Sequence, residues 1–235
     1  MPPCFCGSGK EEKYCHPDVH PLSTVGRMLV FYRDLDISIG NLGNVCIQSC
    51  CDCCYDYFYI SLKEFFAILH FIRSQRGEWY LKKKILMAKD NLEALKRQSP
   101  EEYQRLNSTF DKIPLDISMV RKLFNDTQYV KKLNRPCIFL QHGQCEIYQV
   151  RPYICRLYGS AISTSSNIRI PLCPKIDKNI LYDISRFDVR RIELIDWTKG
   201  TVNRPYPIID FFGSFLPLLI SRNSETLFSS YSQPE

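Results

Sequence analysis

The sequence predicts a mainly α-helical protein with short strands and cysteine-organised loops, built as a small N-terminal knuckle (residues 1–21) and one larger helical domain (22–235). Three observations carry that expectation. Apolar residues keep helical spacing through the middle of the chain, between about residues 61 and 134. The 12 cysteines fall on either side of that middle, none inside it. Hydrophobic residues make up 45% and charged residues 24% of the 235, the balance of a chain that buries a core.

Taken in order, residues 1–21 are rich in Cys, Gly, Lys and Pro and are closed by Pro17 and Pro21. TVGRMLVFYRDLDISIG (24–40) mixes apolar and charged residues and reads equally as a short helix or an extended lead-in. CIQSCCDCCYDYF (46–58) then sets five cysteines into nine positions. SLKEFFAILHFIRSQ (61–75) opens with Ser61 as N-cap and Glu64 three positions on, a capping box, with Phe65, Ile68, Leu69 and Ile72 at helical spacing. WYLKKKILMAKDNLEALKRQ (79–98) continues as helix. SPEEYQRLNSTFDKI (99–113) starts a further one with Ser99 as cap and Pro100 at the first position. SMVRKLFNDTQYVKKLN (118–134) is read as helix too. From Pro136 the texture changes to loops and short strands that carry Cys137, Cys145, Cys155 and Cys173. Residues 181–197 are predicted helical, and the polar tail from Ser221 is predicted mobile.

Composition sets limits on function. No secretory signal is visible, and FFGSFLPLLI (211–220) is too short to span a bilayer and contains Pro217. The expectation is a cytoplasmic protein with no membrane role, where thiols stay reduced and clustered cysteines point to metal. The net charge of +6 is below that of a dedicated nucleic-acid binder, and no specific nucleic acid is expected. Part of the excess is local: residues 73–97 carry eight Lys/Arg against three Asp/Glu. That stretch reads as a solvated helix face or as a docking surface for ribosome, RNA or an acidic protein. No P-loop, dinucleotide-binding or hydrolase motif is present.

Cys4, Cys6, Cys15 and His16 make C-x-C-x8-C-H, four borderline-soft ligands within 13 residues. Zinc takes such a set as a tetrahedron, and Gly7 and Gly9 allow the sharp turn that brings the two ligand pairs together. A segment this short cannot bury a core, so the metal supplies its folding energy. PCFCGSGKEEKYCH resembles the SEC-C motif, a small zinc-binding tail known from the SecA translocation motor and many other bacterial proteins. The resemblance covers about 15 residues and implies one structural zinc and a docking role toward ribosome or export chaperones. The motif usually ends a chain and here stands at the start.

For the remaining thiols a disulfide staple, a reactive-thiol centre and a metal site compete. The absence of a signal peptide argues against the first, and the number of clustered thiols argues for the last. The candidate ligands are Cys46, Cys50, Cys53 and Cys54, joined by Cys137, Cys145, Cys155 and Cys173, with Cys51 as a ninth thiol. His70 fits a helix pattern as an ordinary side chain, and His142 lies in a loop as a weaker ligand candidate. CIFL (137–140), CEIYQVRP (145–152) and CR (155–156), with the CC block before them, resemble the YkgJ-type cysteine-cluster family, a zinc- or iron-chelating domain. The likeness runs from residue 46 to about 175. It departs from the family in the first gap, three residues rather than two, and in Cys51, where the family usually has Gly.

Eight thiols suffice for two zinc sites or for one 4Fe–4S cluster with spare ligands. The related flagellin lysine methylases carry this block with an iron–sulfur cluster, so the resemblance implies iron–sulfur or zinc. Arg151 and Arg156 are expected beside the thiolates, neutralising charge and donating to sulfur. Three functions stay open at this point: a metalloprotein with a structural, docking or regulatory role, a cluster-dependent protein-modifying enzyme, and a ribosome- or export-associated adaptor.

Overall fold

The computed structural model describes residues 3–40, 49–55, 59–101, 103–104, 135–158, 162–163, 175, 182–183, 206–221 and 231–233. Within them the protein is mainly α-helical, and every strand is two residues long. In chain order the helices are α1 (Glu12–Cys15), α2 (Thr24–Gly40), α3 (Leu62–Gln75), α4 (Gly77–Gln98), α5 (Tyr153–Tyr158), α6 (Ile208–Asp210) and α7 (Leu216–Ser221), with a π-helical turn, Phe211–Phe215, joining the last two. The strands are β1 (Tyr59–Ile60), β2 (Leu140–Gln141), β3 (Gln144–Cys145), β4 (Ile162–Ser163), β5 (Tyr182–Asp183) and β6 (Tyr206–Pro207). β1 pairs with β6 and β2 with β3, both antiparallel, while β4 and β5 are parallel.

The ambiguous stretch 24–40 is a full helix. Val25, Met28, Leu29, Tyr32, Leu35 and Ile39 fall on one face at helical spacing and are all buried. Ser23 Oγ accepts from the Gly26 amide at 3.0 Å, satisfying one of the orphan donors of the first turn. The capping box on α3 forms as expected: Ser61 Oγ accepts from the Glu64 amide at 3.2 Å, and Glu64 Oε2 from the Ser61 amide at 2.8 Å.

The core sits between α3, α4 and the C-terminal helical segment. Phe65 stacks on Phe211 at 4.8 Å and meets Phe212 edge-on at 5.3 Å, and Phe139 meets Phe212 edge-on at 5.2 Å. Leu81, Ala88, Leu92 and Leu95 of α4 close it from the other side. Each fully buried large side chain here contributes about 1.5–3 kcal/mol. Ile138, Phe139, Ile147 and Val150 belong to the same core, so the loops of the second cysteine block are anchored by their own apolar residues.

Several expectations change. Of the helix predicted over 99–113 only 99–101 and 103–104 are described, and the one predicted over 118–134 lies outside the described residues, as does 181–197 apart from Tyr182–Asp183, which is strand. Beyond Ser221 only residues 231–233 of the tail are described, and they are docked: Tyr231 stacks on Phe66 at 3.6 Å, and its carbonyl accepts from the Val25 amide at 3.0 Å. Lys84 leaves the solvated face expected for 73–97. It is fully buried and donates to the Ile138 carbonyl at 2.6 Å and to the Glu146 carboxylate. Among the described residues no helix is long and apolar enough to cross a membrane.

Candidate metal centre

The knuckle is built by a tight reversal. A bridge between Pro3 and Glu11 and the bond from the Cys4 amide to the Lys10 carbonyl at 2.7 Å close the loop, and Gly7 donates to the Cys4 carbonyl at 3.0 Å. The one-turn helix α1 then delivers Cys15, followed by His16 as its C-cap. The four ligand atoms of Cys4, Cys6, Cys15 and His16 all lie within 4.8 Å of one another. Cys4 Sγ is 3.3 Å from His16 Nδ1, and the sulfurs of Cys6 and Cys15 are 3.6 Å apart. Bonds of about 2.3 Å to sulfur and about 2.0–2.1 Å to nitrogen place tetrahedral neighbours about 3.5–3.8 Å apart, so donor types and spacing both fit zinc.

The surroundings favour thiolate at one position and resist it at another. Burial alone would raise the Cys6 thiol, but hydrogen bonds involving His16, Ser8 and Cys4 outweigh it and bring it down to about 6. Cys4 is pushed up to about 12, chiefly by burial. A cation at the centre removes that penalty, because metal ligation takes the thiolate form. Ser8 Oγ accepts from the Lys10 amide at 3.3 Å and forms a hydrogen bond with Cys15 Sγ, 3.2 Å away. Two contacts seat the knuckle on the helices: Arg33 of α2 donates to the Phe5 carbonyl at 2.8 Å, and the His16 ring lies 6.0 Å from that of His70 on α3.

The second group of thiols is assembled from three separate pieces. Cys53 and Cys54 lie on a 3-10 turn, Asp52–Tyr55, where Cys54 donates to the Cys51 carbonyl at 2.9 Å. The Cys54 carbonyl accepts from the Cys137 amide, which joins the first block to the second across the helical middle. Cys145 ends β3, opposite Leu140. Cys155 lies on α5, not in the loop that the sequence suggested. The reason is Glu64, whose Oε1 accepts from the Tyr153 amide at 2.7 Å and so caps this short helix from α3.

Burial and neighbouring thiols raise three of these cysteines above the usual thiol range. Cys155 is raised well above the usual thiol range by burial, with the charges of Cys53, Cys137 and Cys145 adding and Arg151 opposing. Cys137 is pushed up to about 12 by burial, with Cys145 and Cys53 adding and Lys84 opposing. Cys54 is raised by its hydrogen bond with Cys53, then by burial and by Cys137, Cys53 and Cys155. So many thiols, each disfavouring its neighbours' ionisation, call for a cation if they are to be thiolates. Cys50 stands at the edge of the set, where Lys175 lies 3.5 Å from its sulfur and 3.1 Å from Asp52. Cys46 and Cys173 lie outside the described residues. Every described cysteine is a free thiol.

Arg156 is fully buried and donates to the carbonyls of Arg151 at 2.9 Å and Gln149 at 2.6 Å and to the Asp36 carboxylate, with its guanidinium 4.2 Å from the centre of the Tyr32 ring. Arg151 lies over Tyr148 at 3.8 Å and 3.6 Å from Asp36. The two arginines therefore tie the Cys155 helix to the end of α2. Nothing local in the sequence marks Glu64 or Lys84 as organisers of this region. The capping box marked Glu64 for its own helix, but its second contact is 89 residues away.

A helical frame whose loops gather Cys4, Cys6, Cys15 and His16 into a knuckle and carry seven further described, half-buried free cysteines defines a cysteine-rich metal-binding class of protein. Residues 45–174 match the family model "CxxCxxCC: Putative zinc- or iron-chelating domain", more than half of the chain, and the protein belongs to that family. No curated protein and no solved structure gives a significant match.

Proposed function

We propose that the protein is a cytoplasmic metalloprotein that holds zinc at the N-terminal knuckle and a 4Fe–4S cluster or zinc at the central cysteines, with a structural, docking or regulatory role. The observation that carries the reading is the convergence of Cys4, Cys6, Cys15 and His16 to within 4.8 Å in a chain of the chelating family. The C-x-C-G-S-G-K core and terminal C-H support a SEC-C module for that knuckle, and the second-block motifs support a YkgJ-type domain after it. In this reading Cys53, Cys54, Cys137, Cys145 and Cys155 are the inner candidates of the central site. Cys46, Cys50 and Cys173 complete the pool, and Arg151 and Arg156 hold the thiol-bearing helix in place. The knuckle, with Tyr14 exposed at its surface, presents a face to a protein partner or the ribosome.

Anaerobic purification followed by metal analysis and visible absorption tests the proposal. Zinc near one equivalent that disappears in Cys15→Ser is the expected result at the knuckle. Iron with acid-labile sulfide, lost in Cys53→Ser or Cys145→Ser, assigns a cluster to the central site; colourless protein with additional zinc assigns zinc there. A protein carrying neither metal at the central cysteines refutes that half of the proposal.

A further inference from the structure

The outer face of α4 carries two large apolar side chains that stay exposed and that no described residue buries. Trp79 is 75% and Leu86 67% exposed, on a helix whose opposite face is fully packed. Seven residues separate them, about 10.5 Å along the axis, which is the heptad interval of a helix–helix seam. Lys82 and Lys89 are exposed between and beyond them, and the Lys83 ammonium lies 5.8 Å from the Trp79 ring centre.

The charges on this face are unbalanced in a specific way. All three acids of α4 are held by cations of the same chain: Glu78 by Arg73 at 3.3 Å, Asp90 by Arg135 at 2.7 Å and Glu93 by Lys96 at 3.0 Å. Lys82, Lys83 and Lys89 pair with no carboxylate among the described residues. Among the described residues, the face therefore offers outward an apolar seam flanked by positive charge that no carboxylate offsets. Its complement is an apolar seam flanked by carboxylates.

We infer that the Trp79–Leu86 face of α4 docks an acidic amphipathic helix of a partner protein. A single-stranded nucleic acid fits the face less well. Successive bases need successive aromatic platforms, and this face has one aromatic ring followed by a leucine. The inference rests on the α4 surface and not on the metal reading.

The test uses full-length protein and fluorescently labelled helical peptides about three heptads long, with leucine at the seam. One peptide carries Glu at the flanks, one carries Lys, and an oligouridylate serves as the nucleic-acid probe. The Glu peptide should bind with an affinity that falls as salt rises, and Leu86→Ser or Trp79→Ala should weaken it about tenfold, a loss of about 1.4 kcal/mol. The combined Lys82→Glu, Lys83→Glu and Lys89→Glu protein should lose the Glu peptide and gain the Lys peptide, a switch that an unfolded variant could not show. No binding of the Glu peptide, equal binding of both peptides, or binding of the oligouridylate alone overturns the inference.

Discussion

Gly7 and Gly9 flank the knuckle turn with nearly the same backbone, φ +79° and +75°, yet their surroundings differ. A Cβ on Gly7 would lie 2.6 Å from Arg33 Cγ and 2.8 Å from Cδ, whereas a Cβ on Gly9 meets nothing within 4 Å. Both alanine variants carry the left-handed backbone cost of about 1–2 kcal/mol. Gly7→Ala must also displace Arg33, whose guanidinium holds the Phe5 carbonyl. Competition against a chromophoric chelator should show zinc held more weakly in Gly7→Ala than in Gly9→Ala, by about tenfold or more; equal losses would mean that the Arg33 contact does not support the site. Asp210 gives a pH-dependent counterpart in the core. Burial lifts its carboxyl from 3.8 to about 6, against a smaller pull from Lys96. The folded state thus binds this proton more tightly than the unfolded state, so this group's contribution to stability is fullest below about pH 4 and falls as pH rises towards 6. Asp210→Asn should stabilise the protein at neutral pH by about 1–2 kcal/mol, a figure reduced for the residue's partial solvent contact. The gain should vanish below about pH 4. Urea midpoints at the two pH values check the sign, and a destabilised variant at neutral pH would contradict it.

At the scale of elements, buried charged side chains fasten the second cysteine block to the helices. Lys84, its side chain 1% exposed, bridges α4 to the Ile138 carbonyl and to Glu146, beside the β2–β3 hairpin that lies between Cys137 and Cys145. Replacing it with Met leaves the carboxylate and the carbonyl without their partner, a loss of about 3–5 kcal/mol. Adding Glu146→Gln to Lys84→Met should recover part of that loss. Chemical denaturation of the two single variants and the double variant forms the cycle, and strictly additive effects would rule out the coupling. These residues also show where sequence reading stopped. The capping box of α3 and the helix over 79–98 were legible because their signals are local: Ser61 and Glu64 are three residues apart, and α4 keeps a buried face. Lys84 was not, because a lysine within KKK looks solvated until its partners, 54 and 62 residues on, are known. Cys155 looked like a loop cysteine for the same reason. The cap that makes its segment a helix comes from a distant carboxylate.

At the scale of the whole molecule, residues 231–232 close on the segment that follows the knuckle. His20 donates to the Ser232 carbonyl at 2.9 Å and Val25 to that of Tyr231 at 3.0 Å, so the last described residues hold the segment that links the knuckle to α2. The Tyr231 ring lies on Phe66 of α3, and together they border a cavity of about 610 Å³ that Asp18, His70 and Arg73 also line. This contact is not legible in the sequence, since a polar tail with a single tyrosine has no periodicity to read. The consequence is mechanical. Knuckle, α2, α3 and tail meet around one cavity, so loosening the tail should loosen the seat of the knuckle as well. Tyr231→Ala removes a stacked but partly exposed ring and should cost about 1–3 kcal/mol, while Tyr231→Phe should cost little. Loaded with zinc, Tyr231→Ala should surrender the metal to a chelator faster than the wild type, with Tyr231→Phe unchanged. Thermal unfolding and stopped-flow metal transfer measure the two effects. A variant that melts early but releases zinc at the wild-type rate would show that the tail stabilises the helices without supporting the knuckle.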